Sequence, residues 1–567
     1  MRFVYDPAIT TKIARMKERV RWQHPTVKQL NIDQTRFVLA DAKHPNNETH
    51  TAAPRDFSFL VIGDSGTSRH VNDPPQRRIT KLLLKHTDQC DFILHTGDVV
   101  YLVGSSEQYP DNFIKPYREF LVGGNKPHKI RFDKMIFKLP LFPVLGNHDY
   151  YDLPLLSGVL SKALLPIRRL LRRRINLDVG WHGSYQGEAY ARAFLDYTQP
   201  LSDRQLKSHL EEKYLPDEKT LLAEKPLKET HPPSQAAPAA PAAPTDTADT
   251  AAEAKPTAPT RCLHYVPGKF TRLPNRYYTF HREGIDFFAL DTNTFNSPQP
   301  LPKDETGQAL RTLLETQRDQ LEEKMRSLTA ESLTLSTDSS EQTARANSLY
   351  GKMEQVEEQL QDIDKQLNIS AADATVDTEQ LSWLRDRLIA SWQTPQSKGR
   401  VLFFHHPPYV TETTKWNQGQ TLAVRARLRE VLDQVQRAVG NYTRPLVDLV
   451  LSGHAHCFEY IRTVETGHGD RIIPWVVCGG SGFSLRRQRR EGPKLEEYGQ
   501  PVAESHLFIG RDGYGNRKSR PYSALRVEVN YDSTQPDTPQ FTLKPLIAER
   551  YQGVWREHEL DPIVLPR

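Results

Sequence analysis

Hydrophobic positions along this chain fall into short, continuous runs that stop on polar residues. Six are "FSFLVIGD" (57–64), "DFILHTGD" (91–98), "LFPVLGNHD" (141–149), "DFFALD" (286–291), "VLFFHH" (401–406) and "VDLVLSGHAH" (447–456). A seventh, "IIPWVVCGGSG" (472–482), ends on glycines. Runs without alternation predict strands buried on both faces, as in a sheet covered by other layers. In open α/β sheets, ligand-binding groups collect outside the carboxyl ends of the strands. Asp and Asn also simply start turns, which would explain any one ending. It does not explain histidine at two ends and Gly-Asp at two others, so the endings predict one shared site.

Elsewhere the pattern changes. Residues 1–55 read as a helix-leaning, polar N-terminal extension, and the core then runs over 56–200, 261–302 and 371–567, the last with C-terminal strands. The first interruption, 201–260, centres on "PPSQAAPAAPAAPTDTADTAAEAKPTAPT". With almost no large apolar residues it cannot bury a core, and it reads as a disordered linker insertion. The second interruption is 303–370. Leu349, Met353, Val356, Leu360, Ile363 and Leu367 step by 4, 3, 4, 3, 4, a heptad seam. Leu310, Leu314, Leu321, Met325 and Leu328 form a looser partner. Together they predict a helical coiled-coil hairpin, an accessory that projects from the domain or packs on its body. A third feature, "LLPIRRLLRRRINL" (164–177), is short, basic and amphipathic. It suits an anionic lipid surface or a phosphorylated partner, but an ordinary surface helix is the favoured reading.

Composition narrows the class. The chain has 567 residues, 26% charged and 37% hydrophobic, with a formal net charge of +5. That suits a folded protein with polar extensions and is too weakly basic to argue for nucleic acid. Four scattered cysteines, Cys90, Cys262, Cys457 and Cys478, make neither a zinc ribbon nor a disulfide framework. No stretch approaches a membrane span, and the first residues lack the apolar core of a signal peptide. The expected compartment is the cytoplasm.

The polar residues at the run ends carry the chemistry: Asp64, Asp98, Tyr101, Asn147, His148, Asp149, His405, His454 and His456. Carboxylate, imidazole and amide oxygen together form a mixed hard and borderline metal set. There are too many ligands for one tetrahedral zinc. Two aspartates, an asparagine, three histidines and a tyrosine suit two metals bridged by one carboxylate, the usual device for in-line attack at phosphorus.

These residues stand in motifs: "GDSG" (63–66), "GDVVY" (97–101), "GNHD" (146–149), "FHHP" (404–407) and "GHAH" (453–456). In content and order the set resembles the calcineurin-like metallophosphoesterase superfamily, over roughly 56–155, 275–300 and 378–485. The resemblance implies an α/β/β/α four-layer sandwich and a binuclear site. Most members of that superfamily carry Asp-x-His in the first motif, whereas this chain has Asp64-Ser65-Gly66. The purple acid phosphatase branch shows the same loss and repairs it with the tyrosine of GDxxY, here Tyr101. A phenolate is a hard anionic oxygen well matched to Fe(III).

Carried over residue by residue, the resemblance implies Asp64, Tyr101 and His456 on one metal and Asn147, His405 and His454 on the other, with Asp98 bridging. The metals implied are Fe with Fe, Mn or Zn. His148 resembles the general acid, and Asp149 would orient its imidazole. His406 is expected to support the site without ligating. His95 and Tyr150 are open between substrate contact and packing, "GGSG" (479–482) between lining the site and a tight turn, and His281 is expected on the surface or in the core. No fibronectin-like strand block precedes residue 56, so the nearer likeness is to the small, single-domain type.

The expected function is hydrolysis of phosphate monoesters, small molecules or phosphoproteins, by a metal-bound hydroxide. The alternatives are a phosphodiesterase or nucleotide pyrophosphatase on the same site, and a scaffold that recruits a protein partner through 303–370 and keeps only a vestigial site.

Overall fold

The computed structural model describes residues 4–40, 54–66, 74–152, 185–216, 260–334, 340–370, 374–440, 444–482, 484–513, 517–532 and 534–566. The apolar runs are strands of two sheets. In one, Phe57–Ile62 pairs in parallel with Ile93–His95, which pairs with Leu141–Pro143. The C-terminal hairpin Ser519–Asp532 and Gln535–Tyr551 extends this sheet antiparallel from Phe57–Ile62. In the other, Ile285–Ala289, Gly399–Phe403, Leu449–Ser452 and Pro474–Cys478 run in parallel side by side.

The sheets pack face to face through aromatic rings. Phe59 and Phe92 from the first sheet meet Phe287 from the second edge-on, at 5.4 and 5.3 Å. Phe280 stacks on Phe287 at 4.7 Å. On the outer faces, Thr378–Gln393 and Gly419–Val439 cover Phe288, Leu402 and Val450, while Pro75–Leu84 lies against the C-terminal hairpin. The result is the four-layer α/β/β/α order, and strands buried on both faces explain why their sequences run apolar without alternation.

Residues 4–40 are not a mere extension. Ile32–Leu39 is a strand inside the second sheet, pairing Arg36 with Thr279 and Phe37 with Leu263. Met16 and Val20 of the preceding segment belong to the main core. Only three of that strand's eight positions are fully buried, so its sequence carries too little apolar signal to read as a central strand. The chain also folds further into 201–260 than composition predicts. Asp203–Lys213 is a helix capped by Ser202, and Tyr214–Pro216 pairs with Arg261–Tyr265. The rest of that insertion and the arginine run 164–177 lie outside the described residues.

The 303–370 segment forms two long helices, Glu305–Leu333 and Ser340–Asn368. They run antiparallel, since Arg318 pairs with Asp364 and Arg345 with Glu331, each at 2.9 Å. They meet at Leu328, Leu349, Met353 and Val356. The second helix lies along the body of the protein. Asp362 accepts the backbone N–H groups of Gly419 (2.8 Å) and Gln420 (3.1 Å), at the start of Gly419–Val439. Lys365 pairs with Asp6. Among the described residues, no helix is long and apolar enough to cross a membrane.

Candidate metal centre

Each motif loop leaves the carboxyl end of a strand, and the loops converge. Asp64 and Asp98 sit just beyond Phe57–Ile62 and Ile93–His95 at φ +50° and +55°, and His454 follows Leu449–Ser452 at φ +66°. Left-handed backbone at three non-glycine residues is a cost that clusters at functional sites. All seven expected ligands are buried together.

Their side chains interlock. The Tyr101 hydroxyl donates to Asp98 Oδ2 (2.8 Å), lies 3.1 Å from Asp64 Oδ1, and faces His456 Nε2 at 3.1 Å. Asn147 Oδ1 meets His405 Nε2 (2.9 Å) and His454 Nδ1 (3.0 Å). His405 Nε2 is 3.4 Å from Asp98 Oδ2, and the backbone N–H of His454 donates to Asp64 Oδ2 (2.9 Å). Backbone carbonyls orient two of the rings: Thr96 O takes His405 Nδ1 (2.8 Å) and Ser484 O takes His456 Nδ1 (3.1 Å). Each ring thereby turns Nε2 toward the cluster, as carbonyl-anchored metal histidines do.

Gly66 explains the tyrosine. A Cβ there would lie 2.6 Å from Tyr101 Cδ2, so the ring fills the space a side chain at position 66 would need. Gly479 of "GGSG" is also close to the cluster: its Cβ would stand 2.9 Å from Asp64 Oδ2. That segment packs its backbone against the first carboxylate.

The electrostatics suit cations. Burial would lower the His405 imidazole, but Asp98 beside it prevails and pushes it up to about 9. Burial would raise Asp98, yet His405 and His148 hold it well below the usual carboxylate range. Burial, then Asp64, Asp98 and Glu354, push the Tyr101 phenol well up. The Tyr101 hydroxyl reaches both carboxylates, a place where a divalent or trivalent ion would take over the work of its proton. Asp64, Asp98 and His405 offer ligand atoms within 4.8 Å of one another, as do His405, His406 and His454. His406 is engaged on both nitrogens, with Thr292 Oγ1 (2.7 Å) and Asn296 Nδ2 (3.3 Å), which fits support rather than ligation.

His148 is anchored differently from the expectation. Its Nδ1 donates to Leu102 O (2.7 Å), leaving Nε2 toward the site. Asp149 does not hold that ring. Its carboxylate accepts the backbone N–H groups of Gly146 (2.9 Å), Asp98 (3.1 Å) and Val99 (3.2 Å). Asp149 therefore ties the second and third motif loops together. Neither residue left open is free to meet substrate: His95 bonds Ser65 Oγ (2.7 Å) and Tyr150 donates to Asp291 Oδ2 (2.8 Å). His281 lies partly exposed and bonds Asp286 (2.7 Å).

Four residues that sequence reasoning missed also stand here. Lys415 Nζ donates to His454 Nε2 (2.9 Å) and pairs with Glu358 (3.0 Å). Glu354 lies 3.6 Å from His148 Nε2 and 4.0 Å from Arg486 Nη2. Both glutamates come from the second hairpin helix, so that helix is part of the site's wall and not only an accessory. The spacing Glu354, Glu358, Asp362 marks one helix face, a signal indistinguishable in sequence from a solvated stripe.

Fold and site together define a metal-dependent hydrolase of phosphoesters. Residues 57–222 match the family model described as calcineurin-like phosphoesterase. The match spans the first three motifs; His405, His454 and His456 join them through the second sheet. No curated protein matches the chain. Among solved structures it is similar to GAP50, described as the anchor in the inner membrane complex of Plasmodium (10% identity, TM-score 0.34, 89% of each chain covered). It is similar to the purple acid phosphatase PPD1 from yellow lupin seeds, Lupinus luteus (10% identity, TM-score 0.37, 90% of this chain and 54% of that one). It is also similar to PhoD (12% identity, TM-score 0.35, 90% of this chain and 69% of that one). The chain thus spans about half of the lupin structure.

Proposed function

We propose that this protein hydrolyses phosphate monoesters, of small molecules or phosphoproteins, at a binuclear site of the purple acid phosphatase kind. The observation that carries the reading is the Gly66–Tyr101 pair, in which the phenol fills the space left by the absent side chain and bonds Asp64 and Asp98. Asp64, Tyr101 and His456 would hold one ion, Asn147, His405 and His454 the other, and Asp98 both. Iron at the Tyr101 position, with Fe, Mn or Zn beside it, suits a phenolate and mixed imidazole and carboxylate ligands. Such ions supply Lewis acidity toward water and phosphoryl oxygen.

The chain's own part is positioning and proton transfer. Leu102 O fixes the His148 ring, so that Nε2 can give its proton to the leaving oxygen. Asp149 holds the loops bearing Asp98 and Asn147 in register. Burial lowers the His148 pKa while Asp98 and Leu102 O oppose it, so acid catalysis is favoured on the acidic side of neutrality. Cys90, Cys262, Cys457 and Cys478 are buried thiols rather than disulfides, which suits action in the reducing cytoplasm.

Metal content and visible absorption of wild type and Tyr101→Phe test the site. An iron charge-transfer band lost in the variant is expected; colourless metal unchanged in the variant would remove Tyr101 from the ligand set. Activity is expected on p-nitrophenyl phosphate, to be lost in Asp98→Asn. A preference for bis-p-nitrophenyl phosphate would replace the monoester reading with the diesterase one.

A further inference from the structure

The mouth of the metal centre is roofed by the second hairpin helix, and the contacts are chemically specific. Glu354 and Glu358 are one helical turn apart on that helix. Glu354 faces His148 and Glu358 faces Lys415, which itself touches His454. The two carboxyl groups therefore stretch from the expected proton donor to a residue of the metal cluster, which is the span a phosphoryl group must occupy. The helix is close enough to touch backbone: Arg486 Nη1 donates to Gly351 O (2.8 Å), and a Cβ on Gly351 would stand 2.7 Å from Ser484 Oγ.

Unused hydrogen-bonding capacity is concentrated here. Both oxygens of Glu354, His148 Nε2 and Arg486 Nη2 are buried without a hydrogen-bond partner among the described residues. Such groups are costly to leave unmade. Lys415 and Arg486 are 1% and 6% exposed, which is rare for cations unless they meet anions. A tetrahedral dianion between His148, Lys415 and Arg486 would satisfy His148 Nε2 and Arg486 Nη2 and displace the Glu354 carboxyl group.

We propose that Lys415 and Arg486 form an anion subsite for the phosphoryl group of the substrate, and that Glu354 and Glu358 occupy it until the helix Ser340–Asn368 yields. The hairpin is then a substrate-displaced cover whose two carboxyl groups compete with phosphate. The cover selects for substrates with a compact dianionic group over diesters, which carry one charge and two bulky arms. This rests on the phosphatase reading for its substrate, but not for its binding chemistry.

Orthophosphate binding to the full-length, metal-loaded protein tests it, by calorimetry and without turnover. Glu354→Gln/Glu358→Gln keeps the shape of the roof and removes the Glu358 charge and the Glu354 acid group, and should bind phosphate about tenfold tighter or more, the scale of one charge-assisted hydrogen bond. Lys415→Met should bind it about tenfold more weakly, with metal content unchanged. In wild type, saturating phosphate should speed hydrogen exchange across 345–368. Equal or weaker binding in the double glutamine variant, with metal intact, would overturn the proposal. So would no binding in either protein, or exchange in that helix unmoved by phosphate. If phosphate affinity shifts as expected but no protein cleaves p-nitrophenyl phosphate, the subsite stands and only the catalytic reading falls.

Discussion

At the scale of single residues, Gly66 and Tyr101 form one unit. The phenol can reach both carboxylates because position 66 has no side chain. Gly66→Ala should therefore drive the ring off its place, costing about 1–3 kcal/mol in stability. It should also lose metal from the Tyr101 position, as read by denaturation and metal analysis. His148→Ala should lower kcat by roughly 10²–10⁴ on alkyl phosphates and far less on aryl phosphates, whose leaving groups need no proton. The motif residues themselves were legible because metal chemistry demands particular donors at strand ends. The work of Asp149 was not legible. Whether a carboxylate meets a neighbouring ring or three backbone N–H groups depends on how the loop curls.

At the scale of elements, the decisive piece is the hairpin. Its heptad seam announced two helices, but the seam describes only how they meet each other. The docking face is polar: Glu354, Glu358, Asp362 and Lys365, each matched by a partner remote in sequence. Asp362→Ala would leave the Gly419 and Gln420 N–H groups unmet and should cost about 1–3 kcal/mol, measurable by urea unfolding. Asp6 joins this helix to the body through Lys12 and Lys365. Burial would raise its carboxyl, but the two lysines prevail and hold it at about 2, below its ordinary 3.8. A lowered carboxylate stabilises above its unfolded pKa and loses that stabilisation as pH falls through the folded value. The difference in Tm between wild type and Asp6→Asn should therefore be full above pH 4 and shrink toward pH 2.

At the scale of the molecule, the site joins two sheets. The matched segment 57–222 brings Asp64, Asp98, Tyr101 and Asn147, while His405, His454 and His456 come from the second sheet. Anything that binds the folded cluster must hold the sheets together. Metal at about 100 times its Kd should stabilise by about 2.7 kcal/mol per site. Chelation should lower Tm, and Asp98→Asn should abolish that dependence. The aromatic layer between the sheets does the same by packing: Phe287→Ala should cost about 3–5 kcal/mol.

Sequence alone determined the strands buried on both faces, the polar side chains gathered at their ends, and the existence of two long helices. All of these are local: an apolar run, a donor type or a heptad needs no distant partner to be recognised. Tertiary structure alone decided that Ile32–Leu39 is an inner strand, that Asp149 braces loops, and that Glu354 and Glu358 face His148 and Lys415. Each of these depends on a partner far along the chain. A polar residue reads the same in sequence whether its partner is water or another side chain.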